Sequence, residues 1–145
     1  MKRAAFSAFI SALRPGAEDA AREPAPPNVL VCEDDGQLRM LIEFMLGEAG
    51  FHVLLASSGE EAVQLAADAG DIDVLVTDLG MPTMSGPDLI EELKAANPGL
   101  PVVVISGYPP GAVPGETKPR ADAFLQKPFD PAVLVDTIEK LLDPV

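Results

Sequence analysis

The stretch Asp73-Val-Leu-Val-Thr-Asp78, running on through Leu79 into Gly80-Met-Pro-Thr-Met-Ser-Gly86, sets the frame for the whole chain. Its apolar residues are continuous rather than alternating, the pattern of a strand buried on both faces of a parallel sheet. Asp78 stands at the end of that run, directly before a turn. Three other apolar runs end in the same manner. Val29-Leu-Val-Cys32 leads into Glu33-Asp34-Asp35, Val102-Val-Val-Ile105 into Ser106, and Ala123-Phe-Leu-Gln126 into Lys127-Pro128. Parallel strands deliver such ends to one edge of a sheet, where open α/β folds place their ligands. An acidic pair, a lone carboxylate, a hydroxyl and an ammonium would share one crevice.

Helical patterns fill the intervals between these runs. Leu38, Leu41, Ile42, Met45, Leu46 and Ala49 recur at helical spacing, with Gly50 where a helix should close. Phe51–Ala56 reads as a second strand. Ser58-Gly-Glu-Glu61 has capping-box form and opens a helix carrying Ala62, Val63, Leu65 and Ala66. Ser85 can cap a third helix with Leu89, Ile90 and Leu93 inward, stopped by Asn97-Pro98-Gly99. Asp130-Pro131 places a cap before a proline at the first helical position, opening a last helix with Leu134, Ile138, Leu141 and Leu142. Strand-then-helix repetition implies right-handed crossovers with helices on both faces. One stretch departs from the alternation. Four prolines and three glycines lie between Gly107 and Pro119, so the fourth helix is expected to be short or missing, with a mobile loop in its place.

The chain has 145 residues, enough for one domain with a real core. Residues 28–143 form that domain, and 1–27 an extension. Within the extension, Phe6, Phe9, Ile10 and Leu13 fall at helical spacing beside Lys2, Arg3 and Arg14, and a Pro-rich linker runs from Pro15 to Pro27. So short a helix is marginal alone; a mobile tail and a docking or self-association helix both fit, which leaves homodimerisation open. The apolar stretch is broken by Ser7 and Ser11 and has no clear cleavage site, unlike a signal peptide. A net charge of −13 argues against a nucleic-acid-binding surface. No apolar run is long enough to span a membrane. A lone cysteine, Cys32, fits a reducing, cytoplasmic setting and reads as a buried thiol. The one histidine, His52, reads as a surface strand residue.

The four converging groups match a specific chemistry. A carboxylate can attack a phosphoryl group to form an acyl phosphate. The difficulty is one anion approaching another, which a hard cation such as Mg²⁺ relieves; it favours a few carboxylates with water and phosphate oxygens. Glu33 and Asp34 would supply that site beside Asp78, with the Gly80 backbone carbonyl as a further ligand. Lys127 would pair with one phosphoryl oxygen and the Ser106 hydroxyl would hydrogen-bond another, since such transfer depends on positioning and charge neutralisation.

These pieces resemble the receiver domain of bacterial two-component response regulators. The matching segments are Val29-Leu-Val-Cys-Glu-Asp-Asp35, Leu75-Val-Thr-Asp-Leu-Gly-Met-Pro82 with Gly86, Val103-Val-Ile-Ser-Gly107, and Phe124-Leu-Gln-Lys-Pro-Phe129. The resemblance covers about Asn28 to Leu142. It implies a flavodoxin-like, doubly wound α/β fold with a five-stranded parallel sheet in the order 2-1-3-4-5. It also implies that Asp78 accepts phosphate from a histidine kinase or a histidine phosphotransfer protein and that Glu33 and Asp34 bind Mg²⁺. Ser106 and Lys127 would sense the phosphoryl group, Phe124 would be the aromatic switch residue, and the bond before Pro128 would be cis. Activation would be a population shift: Ser106 moves toward the phosphoryl oxygen and Phe124 turns inward, changing the face offered to a downstream protein.

Several residues depart from the family's commoner pattern. Glu33 stands where Asp is more usual, and Ser106 where many members have Thr. Tyr108 is placed to cover the site against water, and the Pro/Gly-rich 107–119 segment falls on part of the family's output face. Two other readings compete. A pseudo-receiver would keep the fold and signal by contact alone, which the retention of Asp78, Lys127, Ser106 and the acidic pair argues against. An aspartate-nucleophile phosphatase usually carries a second acid two residues beyond the nucleophile, where this chain has Gly80. Because the sequence ends three residues after Leu142, a free-standing receiver and a receiver from the end of a hybrid kinase both fit.

Overall fold

A computed structural model describes residues 25–81, 83–108 and 121–143. Five parallel strands, β1 (Asn28–Cys32), β2 (His52–Ala56), β3 (Val74–Asp78), β4 (Val102–Ser106) and β5 (Ala123–Gln126), lie in the order β2-β1-β3-β4-β5. Among the described residues three helices join them, α1 (Gly36–Glu48), α2 (Gly59–Ala69) and α3 (Gly86–Ala96), and a fourth, α4 (Pro131–Leu142), follows β5. The expected strand order holds. The expectation of a short or missing helix falls on 107–119, which lies outside the described residues beyond Tyr108.

β3 is central and every one of its residues is buried, as its unbroken apolar run requires. The sheet's two faces carry separate cores. Leu30, Leu75 and Val104 meet Ala62, Leu89, Ile90 and Leu93 on the side of α2 and α3. Val31, Val76 and Ile105 meet Ile42, Leu46, Leu134 and Ile138 on the side of α1 and α4. Strand residues alternate between these faces, so the central strands are apolar on both until they near the sheet's carboxylate edge.

The helix starts follow the sequence closely. Asp35 caps α1 by accepting from the Gln37 and Leu38 N–H groups, and Ser85 caps α3 by accepting from Asp88 N–H. Asp130 does the same for α4, which opens on Pro131. At α2 the capping box is shifted. Ser58 accepts from Glu61 N–H, but the Glu61 carboxylate reaches back to Ser57 rather than to Ser58, binding its N–H at 2.7 Å and its hydroxyl at 3.0 Å. These two bonds pull the Glu61 carboxyl below its ordinary range. Gly50 follows α1 with φ +98°, a conformation natural to glycine, just past the Ala49 cap.

Several strand ends and one helix face differ from expectation, β1, β4 and β5 each by one residue. β2 begins at His52, with Phe51 buried ahead of it. β3 runs Val74–Asp78 rather than Asp73–Thr77; just ahead of it Asp73 ties two strand starts together, its N–H donating to the Asn28 carbonyl at 2.9 Å and its carboxylate accepting from Asn28 N–H at 2.7 Å. On α1 the inward row is Leu38, Ile42, Leu46 and Ala49. Leu41, expected inward, is exposed, as are Met40 and Phe44. A helix apolar on several sides offers no periodic clue to which side faces the core.

His52 is exposed and its Nδ1 lies 2.7 Å from Asn28 Oδ1. Cys32 is fully buried, with Sγ 3.3 Å from Met81 Sδ, and burial pushes its thiol up to about 12. Since the thiolate is the reactive form, the native protein should resist a disulfide reagent such as Ellman's at mildly alkaline pH. Unfolding in guanidinium should release one reactive thiol. Rapid titration of the folded protein would show that Cys32 is reachable.

Candidate functional site

The strand ends place the acidic and basic groups at one edge. β1 ends at Cys32, paired in register with Thr77, so Glu33 and Asp34 emerge beside Asp78. Asp78 pairs with Ile105, and Ser106 with Gln126, which brings Ser106 and Lys127 to the same edge. Glu33, Asp34 and Asp78 each present a carboxylate oxygen, and these atoms lie within 4.8 Å of one another.

Lys127 holds the cluster together. Its Nζ stands 3.0 Å from Asp78 Oδ2 and 2.9 Å from Glu33 Oε1, the latter an ion pair whose angle falls outside hydrogen-bond geometry. The Lys127–Pro128 peptide bond is cis. Asp78 Oδ1 accepts from Leu79 N–H at 2.7 Å and, more weakly, from Gly80 N–H at 3.4 Å. The acidic side chains differ in exposure: Glu33 is fully buried, Asp78 nearly so, and Asp34 faces solvent.

Burial is the main reason the Glu33 carboxyl titrates above its ordinary range; the Asp35 N–H and the Lys127 ammonium oppose the shift, and Asp78 adds to it. Burial pulls the Lys127 ammonium down, but its contacts with Glu33 and Asp78, together with their two negative charges, leave it above its ordinary range. The ammonium is therefore charged at neutral pH and partly offsets the anionic cluster.

Ser106 is buried, and its Oγ accepts from Tyr108 N–H at 2.9 Å. The Tyr108 side chain itself is exposed. Phe124 is half-buried on the α2–α3 side of the sheet, packed against that core. Gly80 is exposed immediately after the strand.

Two supports escaped sequence reasoning. Arg39 Nη1 donates to the Glu33 carbonyl at 2.8 Å, tying α1 to the end of β1. Glu33 Oε2 accepts from Asp35 N–H at 2.9 Å, so the residue that caps α1 also fixes the buried carboxylate. Asp35 carries a signal as a helix cap; Arg39 carries none, since an arginine on a helix is ordinary.

The turn after β3 is set by Gly86. Its N–H donates to the Leu79 carbonyl at 2.9 Å, and a Cβ there would lie 2.2 Å from the Asp78 carbonyl oxygen. Only glycine lets α3 start this close to Asp78.

The arrangement has parallels in known proteins. The family model described as the response regulator receiver domain matches residues 29–139. The sensor kinase CckA of Brucella abortus strain 2308 is 31% identical over 147 residues, which cover 98% of this chain. The chain spans only 15% of that kinase's length. The response regulator receiver protein CpdR of the same organism is 33% identical over 115 residues, covering 79% of this chain and 95% of CpdR. Among solved structures, the Vibrio cholerae chemotaxis protein CheY4 superposes with a TM-score of 0.74 at 28% identity, over 80% of this chain and 98% of its own. A family model spanning the sheet, and relatives matching in both sequence and fold, show that this chain belongs to the receiver domains of two-component response regulators.

Proposed function

We propose that the chain is a phosphoacceptor of a two-component or phosphorelay system, with Asp78 taking the phosphoryl group from a histidine kinase or histidine phosphotransfer protein in the cytoplasm. The observation that carries this reading is the three-carboxylate cluster closed by one ammonium, with Asp78 at the sheet's ligand-binding edge. An Asp78 carboxylate oxygen attacks phosphorus; the new P–O bond forms as the P–N bond to the donor imidazole breaks, and the electron pair leaves with the imidazole nitrogen.

The donor set suits Mg²⁺. Mg²⁺ takes a few carboxylate oxygens and keeps several waters, and three carboxylate oxygens already lie within 4.8 Å of one another here. Glu33, Asp34 and Asp78 would hold the ion, with the Gly80 carbonyl as a further ligand. When bound, it supplies positive charge to offset the approach of two anions. Lys127 adds a second positive charge, moving from Asp78 Oδ2 to a phosphoryl oxygen. Ser106 accepts from Tyr108 N–H, which leaves its own hydroxyl hydrogen to turn and donate to another phosphoryl oxygen. Movement of Ser106 and its loop would let Phe124 turn inward, changing the surface read by a downstream protein. Tyr108, bonded through its N–H to Ser106, would move with that loop and shield the acyl phosphate.

Intact mass after incubation with acetyl phosphate tests this. A single phosphoryl adduct is expected with Mg²⁺, and none in EDTA or in Asp78→Asn. The absence of an adduct with acetyl phosphate and also with a panel of phosphorylated histidine kinases would favour a pseudo-receiver that works by contact alone.

A further inference from the structure

A cleft of about 320 Å³ opens between the far ends of α2 and α3, at the opposite edge of the sheet from the carboxylates. Val63, Ala66, Ala67, Ile72, Leu93 and Ala96 make it largely apolar, and Glu92 stands at its wall. Its size is at the small end for ligand pockets, room for one or two apolar side chains rather than a cofactor. Small residues on both helices leave the gap: Ala66 and Ala67 face Ala96 across it, with Gly70 at the end.

We propose that the N-terminal segment of this same chain docks at the cleft, seating in it one or two side chains of the apolar row Phe6, Phe9, Ile10 and Leu13. The point of attachment supports this occupant. Asn28, the first residue of β1, is bonded through its N–H to Asp73 Oδ2 and through its side chain to the Asp71 carbonyl. Gly70 and Ile72, on either side of Asp71, line the cleft. The extension therefore leaves the domain at the same edge of the sheet as the cleft. Its thirteen linker residues, 15–27, can reach up to roughly 45 Å when extended, so length is no constraint.

Charge agrees. The apolar row is flanked by Lys2, Arg3 and Arg14, while Glu92 lines the cleft and exposed Asp68 and Asp71 adjoin lining residues. Tethering raises the segment's effective concentration into about the millimolar range, so a contact too weak to form between separate molecules is populated within one chain. Docking at this edge leaves the carboxylate cluster open.

The chain contains no tryptophan, so Phe9→Trp in the full-length protein gives a clean reporter. Its emission should be blue-shifted relative to the protein in denaturant and unchanged by dilution. Adding Ala66→Arg, which fills the cleft with like charge, should shift the emission to the red while circular dichroism stays native. As a check that does not depend on that variant folding, carbodiimide should join Lys2 to Glu92 within monomers, located by peptide mass mapping. Solvent-like emission together with no Lys2 cross-link would overturn the proposal. So would emission that reddens on dilution, which makes a second copy the occupant. A red shift on Phe44→Ser but not on Ala66→Arg would place the segment on α1 instead and overturn it too.

Discussion

Gly86→Ala is expected to lower the melting temperature by roughly 10 °C, while Gly47→Ala leaves it unchanged or raises it slightly. The added Cβ at Gly86 would meet the Asp78 carbonyl oxygen at 2.2 Å and Leu79 Cα at 2.8 Å. Both are backbone atoms, and Asp78 is fixed in β3 opposite Ile105. Helix α3 cannot simply retreat, because the Gly86 N–H is bonded to the Leu79 carbonyl. Overpacking ordinarily costs about 1–3 kcal/mol, and contact between two backbones belongs at the upper end. For a domain of this size, each kcal/mol shifts the midpoint by about 4 °C. At Gly47, an exposed position of α1, a Cβ meets nothing within 4 Å, and alanine's helix preference is worth roughly 0.5–1 kcal/mol. Scanning calorimetry on both variants separates a local clash from a general intolerance of substitution. Equal midpoints for Gly86→Ala and the native protein would mean that the turn after Asp78 has room the geometry denies. Since the clash falls on Asp78 itself, the same variant should also slow acetyl phosphate labelling.

Much of the fold was legible because parallel strands advertise themselves. β1, β3 and β4 are buried on both faces, so their apolar runs are unbroken, and the helices between them carry caps at Asp35, Ser58, Ser85 and Asp130. Convergence of Glu33, Asp34, Asp78, Ser106 and Lys127 at one edge followed from strand polarity alone. The remainder depends on contacts that sequence order conceals. Met40, Leu41 and Phe44 made α1 apolar on several sides, and only the packed structure shows that Leu38, Ile42 and Leu46 face the core. Asp73 reads simply as the start of a strand, and nothing in sequence order shows its carboxylate on the Asn28 N–H. Lys127 was assigned to the phosphoryl group from its position; that it also neutralises Glu33 could not be read, because the buried face of Glu33 is set by the register of β1 against β3. Arg39 is similar: its bond to the Glu33 carbonyl arises from how α1 leaves the strand, not from any pattern in the chain.

Lys127→Met is expected to cost about 2 kcal/mol of stability in EDTA, with most of it recovered in saturating Mg²⁺. The substitution keeps an apolar stem and removes the ammonium that pairs with both the Glu33 and the Asp78 carboxylates. Breaking a buried pair from one side costs about 3–5 kcal/mol. Lys127 is 25% exposed, so water screens part of the loss and the lower figure applies. Burial already holds the Glu33 carboxyl above its ordinary range. An acid shifted upward in the folded state contributes stability below its unfolded pKa and loses it as pH rises through the folded one. Without the ammonium that loss deepens, so the deficit should be larger near about pH 8 than near about pH 5. The same variant frees Glu33 Oε1 and Asp78 Oδ2, which the ammonium now engages. A cation that binds only the folded state stabilises it in proportion to its occupancy, so Mg²⁺ should raise the unfolding midpoint more in Lys127→Met than in the native protein. Urea melts in EDTA and in Mg²⁺ supply all four numbers. Equal Mg²⁺ increments in the two proteins would show that Lys127 and the cation do not compete for these oxygens, and the assignment of Glu33 and Asp78 as ligands would fall with that result.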